Sequence, residues 1–415
     1  MLWNKQVVNA SSLPVVIVIS ALIMMLILSA FSLRMLDYQN HEAYMALKQR
    51  RLDIHSAAAL YMCDSTIMGE SDSARISLYG EDEDSISVKK QCWGLYEIVS
   101  VRHDTNDPDE KMYMMGRCLE SSHRAALWVS DRNAPLSLAG SSSVLGLTYA
   151  PFNGIKYPEI EGCPFQGSRI SPEVTKNSRR YLPELDTKSL THLNSLKSLR
   201  KRRFDYSRLS EGRQYHSFKD STIFTYCKNS DETEFHLKGK IVLYGDRLII
   251  SGKSEMQNII IFARSVLIEE GFRGCAQIFC EDSIFIGRNV KLSYPSGLLV
   301  DASLSNTVCI TVGENSQVSG YVGIINGDKN SRTQEPPCFK LHKHSLVRGL
   351  VYVDGTCELA GAIKGAAYIK DCSYRGKNSS YVGTLYNASI AREDSLAFPI
   401  LLDGPYQRKI VKNMY

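Results

Sequence analysis

The feature of this sequence that most limits its fold is a repeat of eighteen residues that begins at Lys240. Three blocks follow one another without a gap: KIVLYGDRLIISGKSEMQ, NIIIFARSVLIEEGFRGC and AQIFCEDSIFIGRNVKLS. Each block holds two apolar runs, which fall in shared columns at 242–244, 260–262 and 278–280, and at 248–250, 266–268 and 284–286. Such a unit cannot bury its apolar side alone, whereas stacked copies share one core. The repeat therefore predicts a parallel β-helix built from short strands.

Later copies of the repeat carry a glycine at their centre. The segments VSGYV at 318–322, VRGLV at 347–351 and IKGAA at 363–367 are alike. This pattern suits a strand, a tight corner and a second strand, because glycine adopts corner conformations that other residues resist. The spacing between the first two copies predicts an insertion over 328–340.

Fainter copies of the pattern between residues 136 and 167 extend the predicted solenoid to 135–372. A segment of another kind interrupts it at about 174–232. There, leucines recur at helical spacing and a basic run, Arg200–Arg203, follows them. This segment is interpreted as a helical insertion on the surface; the leucines are Leu190, Leu193, Leu196 and Leu199.

Two further regions flank the solenoid. Residues 70–134 hold four strand-like runs separated by acidic loops, which predicts a small antiparallel β meander. Residues 373–415 are polar and end in a basic stretch. This tail is expected to cap or cross the last coil.

The most apolar stretch is LPVVIVISALIMMLILSAFSL at 13–33, which is uncharged and long enough to span a bilayer as a helix. A cleaved signal peptide is the alternative, although no small-x-small cleavage site follows the stretch. The chain as a whole is 44% hydrophobic with a mean hydropathy of −0.18. These values exclude a polytopic membrane protein and a mostly disordered chain.

The helix is predicted to continue beyond the apolar stretch. Residues 34–62 contain neither Gly nor Pro, and one face is apolar through Leu47, Ile54, Ala58 and Tyr61. The sequence therefore predicts a tail at 1–12, a transmembrane helix at 13–33 and a helical stalk at 34–65. The fold class is mainly β, with this helix and stalk followed by the meander and the solenoid.

The N-terminus resembles that of type IV pilin-like proteins, especially PilX-type minor pilins and pseudopilins. The likeness rests on the small polar residues at 9–12, the long apolar run and the Ala-rich end of the stalk at 55–60. The Gly-Phe processing junction of that family is absent, and Val15 stands about where its early acidic residue would fall. An ordinary signal anchor with a helical stalk is the alternative.

Membrane orientation has two conflicting indications. Lys5 precedes the span, whereas Arg34, Lys48, Arg50 and Arg51 follow it, so the positive-inside count alone favours a cytoplasmic C-terminal bulk. The resemblance implies the opposite. The expectation is a single-pass protein of the inner membrane whose C-terminal bulk is extracytoplasmic.

The residues that could carry chemistry do not form a recognisable site. The eleven cysteines include no CxxC motif and no His/Cys cluster with zinc spacing, so no metal site is predicted. Cys280 falls in an inward column of the repeat, and Cys92 and Cys118 are the disulfide pair expected if the bulk is exported. His342 and His344 are interpreted as solvated loop residues. No catalytic, cofactor-binding or metal-binding residue is predicted, and no cofactor.

The basic run 197–203 is interpreted as a solvated helix face. With a net charge of only +5, the chain is not expected to bind nucleic acid. The expected partners are the membrane, through 13–33, and proteins of an envelope assembly, with self-association through the helix or the solenoid.

The repeat can be compared with three known families of solenoid proteins. The eighteen-residue period is that of left-handed hexapeptide acyltransferases, and IGRNV at 286–290 resembles an isolated hexapeptide. Pectate-lyase-like enzymes have longer coils. The 240–370 region also resembles bactofilins, which polymerise as bacterial scaffolds.

The function expected first is a non-catalytic envelope protein, pilin-like or pseudopilin-like. The alternatives are a membrane-anchored β-helix enzyme acting on cell-surface carbohydrate or acyl groups, and a bactofilin-like scaffold.

Overall fold

The computed structural model of this chain describes residues 12–64, 71–80, 85–104, 109–119, 124–199, 214–227, 234–305, 308–326 and 336–414. The fold is mainly β with one long N-terminal helix. The chain divides into two compact units. One comprises residues 1–61, 74–88 and 101–110, and the other comprises 62–73, 89–100 and 111–415.

The first unit is built on helix α1, Ser12–Cys63, which confirms the predicted continuous helix. Its most apolar window has a mean hydropathy of 2.8, and none of that window is buried. The helix is therefore long and apolar enough to cross a membrane.

The second half of α1 has a buried face. Ile54, Ala57, Ala58 and Tyr61 are at most 3% exposed, and Leu47 is half-buried. This spacing of three and four residues is that of one helix face, as the sequence predicted.

A buried acid extends this face. The Asp53 carboxylate accepts hydrogen bonds from Gln49 Nε2 and from the Tyr79 hydroxyl, both at 2.9 Å. These two donors compensate the burial of the charge.

Four consecutive strands follow the helix and are neighbours in that order: β1 Ser73–Ser77, β2 Ser85–Trp93, β3 Tyr96–His103 and β4 Glu110–Leu119. Their order agrees with the predicted meander. Strands β2, β3 and β4 each contribute residues to both units. In the first unit Ile86, Val88 and Val101 are fully buried.

The second unit holds the remaining strands. In chain order these begin with β5 Leu127–Val129, β6 Leu136–Ala139, β7 Ser143–Leu145, β8 Thr148–Ala150, β9 Ile155–Lys156 and β10 Thr175–Asn177. Helix α2, Thr187–Leu199, follows and lies inside the predicted insertion. Then come β11 Gln214–His216, β12 Ile223–Cys227, β13 His236–Gly239, β14 Ile241–Gly245, β15 Arg247–Ile250, β16 Glu255–Ile268, β17 Arg273–Ile286 and β18 Lys291–Asp301.

The chain continues with β19 Cys309–Val312, β20 Gln317–Ile325, β21 Cys338–Leu341, β22 Leu346–Leu359 and β23 Ala362–Arg375. It ends with β24 Ser380–Val382, β25 Thr384–Tyr386, β26 Ser389–Ala391 and β27 Tyr406–Asn413. Strand β21 includes Lys340, so the predicted insertion over 328–340 ends earlier than expected. The tail was expected to cap or cross the last coil; its strand β26 pairs in parallel with β23 of the stack, whereas β27 pairs antiparallel with β4.

The strands from β11 to β23 stack as parallel coils with three faces. The first face contains β13 and the N-terminal ends of β16, β20 and β22. The second face contains β12, β14 and the middle of β16 and β17. The third face contains β15, β19, β21 and the C-terminal ends of β16, β17 and β22. This is the solenoid-like parallel sheet that the repeat predicts.

One column of the repeat is displaced from its predicted register. On the third face Val266 pairs with Ile284, as the eighteen-residue period requires. On the second face Ile261 pairs with Ile278, so the predicted alignment of 260–262 with 278–280 is wrong by one residue. One register shift, between Gln257 and Ile259, introduces the displacement, and a second, between Ala263 and Ser265, removes it; Ile261 and Ile278 both lie on the inner side.

The glycine-centred copies align as predicted. Gly320 pairs with Gly349, and Gly349 pairs with Gly365, at the corner between the first and second faces. Their φ values are 136°, 138° and 144°, a backbone region that glycine favours.

The coils do not stack in chain order throughout. Strand β5 pairs with β23, and β7 pairs with β26. Strand β8 in turn pairs with β5, and β10 pairs with β8. Residues 127–177 therefore form the end of the stack, beyond the last C-terminal coil. The sequence placed 125–129 in the meander, but β5 belongs to this parallel sheet. The segment that contains α2 carries the chain from one end of the stack back towards the other.

Candidate functional site

The outer side of the second face carries a continuous layer of apolar side chains. Inward residues of its strands pack in the solenoid core, and alternate residues point outwards because strand side chains alternate. The outward residues include Val242, Tyr244, Ile260, Phe262, Phe279, Leu299, Tyr321, Tyr352 and Tyr368. A solenoid face of this kind needs a covering element to exclude water.

Part of this layer is a ladder of stacked aromatic rings. The rings of Phe224, Tyr244, Phe262 and Phe279 lie on successive coils, with centroid distances of 6.3, 5.6 and 5.1 Å. The ladder agrees with the shifted register, because Phe262 pairs with Phe279. Two of these rings, Phe262 and Phe279, lie on the floor of the groove described below.

Helix α2 and the segment before it cover one side of the layer. Leu193 of α2 is buried, and the Tyr244 hydroxyl donates to the Leu196 carbonyl oxygen at 2.8 Å. Further along the stack, the Tyr352 hydroxyl donates to the Pro183 carbonyl oxygen at 3.2 Å. These contacts hold α2 and the segment before it against the outer side of the second face.

A groove of about 1320 Å³ lies between this segment and the corner that joins the second and third faces. Its floor is apolar, with Phe262, Phe279, Leu299 and Tyr352 among its lining residues. Its volume exceeds the usual size of a small-molecule pocket, and it crosses several coils. The groove can therefore hold an extended ligand or a segment of a partner.

Two ion pairs lie on the walls of the groove. Lys197 Nζ lies 3.4 Å from Glu281 Oε1, and Lys370 Nζ lies 2.7 Å from Asp354 Oδ1. Asp301 Oδ1 accepts from the backbone N–H of Ser303 at 3.1 Å and so closes a turn. The residues that line the groove include five acidic and four basic side chains, so neither sign of charge is in large excess.

A buried ion pair fixes the start of α2. Arg117 Nη1 lies 2.9 Å from Asp186 Oδ2, and both side chains are about one tenth exposed. Asp186 Oδ1 also accepts from the backbone N–H of Ser189 at 2.8 Å, as an N-cap residue does. The Arg117 guanidinium stacks over the Tyr406 ring at 3.7 Å.

Comparisons of the chain with protein-family models, with curated proteins and with solved structures give no match. The geometry and the sequence pattern therefore carry the functional argument.

The residues that the sequence singled out do not converge. His342 and His344 are exposed at a coil corner on either side of Lys343. Lys197 faces the groove, whereas the rest of the basic run, 200–203, lies outside the described residues. Among the described residues, no three His, Cys, Asp or Glu side chains are close enough to hold a metal ion.

The cysteine predictions have different outcomes. Cys280 is 4% exposed in the solenoid core, as predicted, but it points inwards because it pairs with Ala263, whereas Tyr244 and Phe262 of its predicted column point outwards. The prediction that Cys92 and Cys118 lie on facing strands is wrong, because β3 lies between β2 and β4. Both thiols are free, and burial raises the pKa of Cys92 to about 11.

Gln277, which no sequence motif marks, fixes a tight turn of the small sheet to the solenoid. Its amide is 2% exposed, and Oε1 accepts from the Leu95 N–H and the Tyr321 hydroxyl at 2.9 Å. Nε2 donates to the Trp93 carbonyl oxygen at 2.9 Å. The signal was one polar residue within an otherwise apolar run, AQIFC at 276–280, which marks a buried hydrogen-bonding position.

Replacing Gln277 with leucine should lower the free energy of unfolding by about 2–3 kcal/mol, because two backbone groups and a hydroxyl lose their buried partner. Urea unfolding of the full chain in detergent, followed by circular dichroism, measures the change in the free energy of unfolding. Gln257→Leu is the matched control, since Gln257 is exposed on the first face. Equal shifts in the two variants would contradict the role of Gln277.

Proposed function

We propose that this chain is a non-catalytic protein of the bacterial cell envelope, a pilin-like or pseudopilin-like component of a surface or secretion apparatus. In this proposal residues 13–33 anchor it in the inner membrane, and the C-terminal bulk is extracytoplasmic. The solenoid presents a rigid surface to other proteins of the assembly.

The observation that carries the proposal is the division of α1 into two unlike halves. The first half is apolar on every side and wholly exposed, which is costly in water and favourable in lipid. The second half is amphipathic, with only the face of Ile54, Ala57, Ala58 and Tyr61 buried. One unbroken helix with these two surfaces suits a membrane anchor that continues as a stalk.

The groove supports a second candidate, an enzyme acting on cell-surface carbohydrate or acyl groups. It is large, lies along the solenoid and carries carboxylates, which glycoside hydrolysis commonly uses. The ion pairs of Glu281 and Asp354 favour binding over acid-base catalysis, since both carboxylates already have a cationic partner.

Membrane anchoring is tested with three arginines in the apolar half of α1, Ile19→Arg, Leu22→Arg and Leu26→Arg. Each should cost about 2.5–3.5 kcal/mol in the bilayer, so the variant should leave the carbonate-resistant membrane fraction. The matched control is Met45→Arg, Leu52→Arg and Leu60→Arg, which alters side chains of similar exposure outside the span. Retention of the first variant in the membrane would contradict anchoring by 13–33.

Orientation and assembly have separate readouts. Alkaline phosphatase fused after residue 70 should be active, and an inactive fusion would contradict an extracytoplasmic bulk. The wild-type chain should also appear in the fraction sheared from the cell surface, and the triple variant Met45→Arg, Leu52→Arg and Leu60→Arg, which alters the stalk, should be lost from it. Absence of the wild type from that fraction would refute the pilin-like role and leave membrane anchoring intact.

A further inference from the structure

Two cysteines face each other across neighbouring strands of the third face. Strands β19 and β21 are parallel, and Cys309 pairs in register with Cys338. The next residue on each strand, Ile310 and Phe339, is fully buried in the solenoid core. Since side chains alternate along a strand, both thiols lie on the outer side, where they are half-buried.

We propose that Cys309 and Cys338 are a disulfide-forming site that staples two neighbouring coils of the solenoid. Paired strands lie about 4.8 Å apart, which is within the Cα separation of roughly 4.4–6.8 Å that a disulfide spans. Both side chains leave the sheet on the same side, so rotation about χ1 brings the sulfurs together. The bond joins two residues that are separated in the sequence by one coil and its insertion.

The chemistry is thiol–disulfide exchange with a disulfide oxidant such as oxidised glutathione. One protein thiolate attacks the oxidant, which forms a mixed disulfide and releases one glutathione thiolate. The second protein thiolate then attacks the mixed disulfide at the protein sulfur, and the second glutathione leaves. Two protein thiols lose two electrons and two protons, and one oxidant disulfide becomes two thiols.

The other cysteines lack this combination of register and access. Cys357 and Cys372 also pair in register, but both are fully buried in the solenoid core. Their thiols are closed to a soluble oxidant in the folded chain, so this pair is a natural internal control. Cys63 and Cys163 are exposed, but Cys63 ends α1 and Cys163 forms an isolated β-bridge with Ile160, so neither lies in register with another cysteine.

The surroundings of Cys338 determine how fast the bond closes. Burial, the Glu358 carboxylate and the Cys309 thiol together raise the pKa of Cys338 to about 12, against the opposing effect of Lys340 and Arg375. At neutral pH the thiolate fraction is therefore small, and the step in which Cys338 attacks should be about tenfold faster for each pH unit between 7 and 9. For the same reason Cys338 is a poor leaving group, so the finished bond should resist reduction.

The test uses the full chain purified in detergent and treated with oxidised glutathione, followed by alkylation under denaturing conditions and peptide mass mapping. Two fewer thiols than the eleven of the reduced chain should be alkylated, and the 309–338 linkage should be recovered. Cys309→Ser and Cys338→Ser should each prevent the loss of the pair. Cys357→Ala should leave the linkage unchanged.

Three outcomes would overturn the proposal: full reduction of the pair under oxidant, glutathione adducts without the linkage, or a linkage of Cys309 or Cys338 to another cysteine. Mapping of the wild-type chain decides among these even if a variant fails to fold. The chemistry does not depend on the membrane role, because the oxidant is supplied in vitro. Failure here would leave the anchoring and reporter results unaffected.

Discussion

Replacing Gly349 with alanine should abolish the cooperative folding of the solenoid. Gly349 has a φ of 138°, and a Cβ atom there would lie 1.9 Å from the Gly320 carbonyl oxygen of the neighbouring coil. That contact is with backbone, so no flexible side chain can move aside. The next glycine of the column, Gly365, would meet the Gly349 carbonyl oxygen at 2.0 Å in the same way.

The expected loss exceeds about 4–5 kcal/mol, which is comparable to the total stability of many domains. Relief of the contact requires separation of two coils, and the hydrogen bonds of the ladder between them would then be lost. Urea unfolding followed by circular dichroism, together with limited proteolysis, measures the effect in the full chain.

Gly271→Ala is the matched control for the backbone effect alone. Gly271 has a φ of 81°, but no atom lies within 4 Å of the position that its Cβ would take. Alanine there should cost only the left-handed conformation, about 1–2 kcal/mol. Equal destabilisation by the two substitutions would show that the close stacking at Gly349 is unimportant.

The glycine column illustrates what the sequence could predict. The copies at 318–322, 347–351 and 363–367 align because each coil must turn the same corner, and the corner requires the same residue. The long α1 helix was equally predictable, because an apolar run followed by a stretch free of Gly and Pro has few alternatives. These features depend on local requirements that repeat along the chain.

The order of coils was not predictable in the same way. Residues 127–177 stack beyond β23 and β26 because the exposed edge of one short coil is much like that of another. Sequence order favours adjacent stacking, but only tertiary packing decides which edge is used. The register shifts on either side of 259–263 were not predictable for a similar reason, since the runs 260–262 and 278–280 are apolar in either register.

The groove depends on the same long-range packing. Its walls combine α2 with coils that lie far away in sequence, and its anchor, Arg117 with Asp186, joins β4 to the start of α2. A charged residue in an apolar strand such as β4 does signal a buried partner, because an unpaired buried charge is costly. The sequence contains many acids, however, and nothing local distinguishes Asp186 among them.

Replacing Arg117 with methionine should destabilise the second unit by about 3–5 kcal/mol, because it leaves the Asp186 carboxylate buried without its cation. Asp186→Asn should be costly for the converse reason, although asparagine can keep the N-cap hydrogen bond to Ser189. The double variant should lose less than the sum of the two, since neither charge is then left alone. Arg288→Met is the control, because Arg288 and Glu270 form an exposed pair worth at most about 1 kcal/mol.

The pH dependence of unfolding gives an independent test of the same pair. Burial alone would raise the pKa of Asp186, but the Ser189 N–H and the Arg117 guanidinium hold that pKa below its ordinary value. A carboxyl whose pKa is lowered by folding stabilises the fold above its unfolded pKa of about 3.9, and that contribution is lost as the pH falls through the folded value. Urea midpoints measured from pH 7 down to pH 3 should therefore fall more steeply for the wild type than for Asp186→Asn. Parallel curves would show that the charge of Asp186 does not stabilise the fold, whatever the cost of the substitution at pH 7.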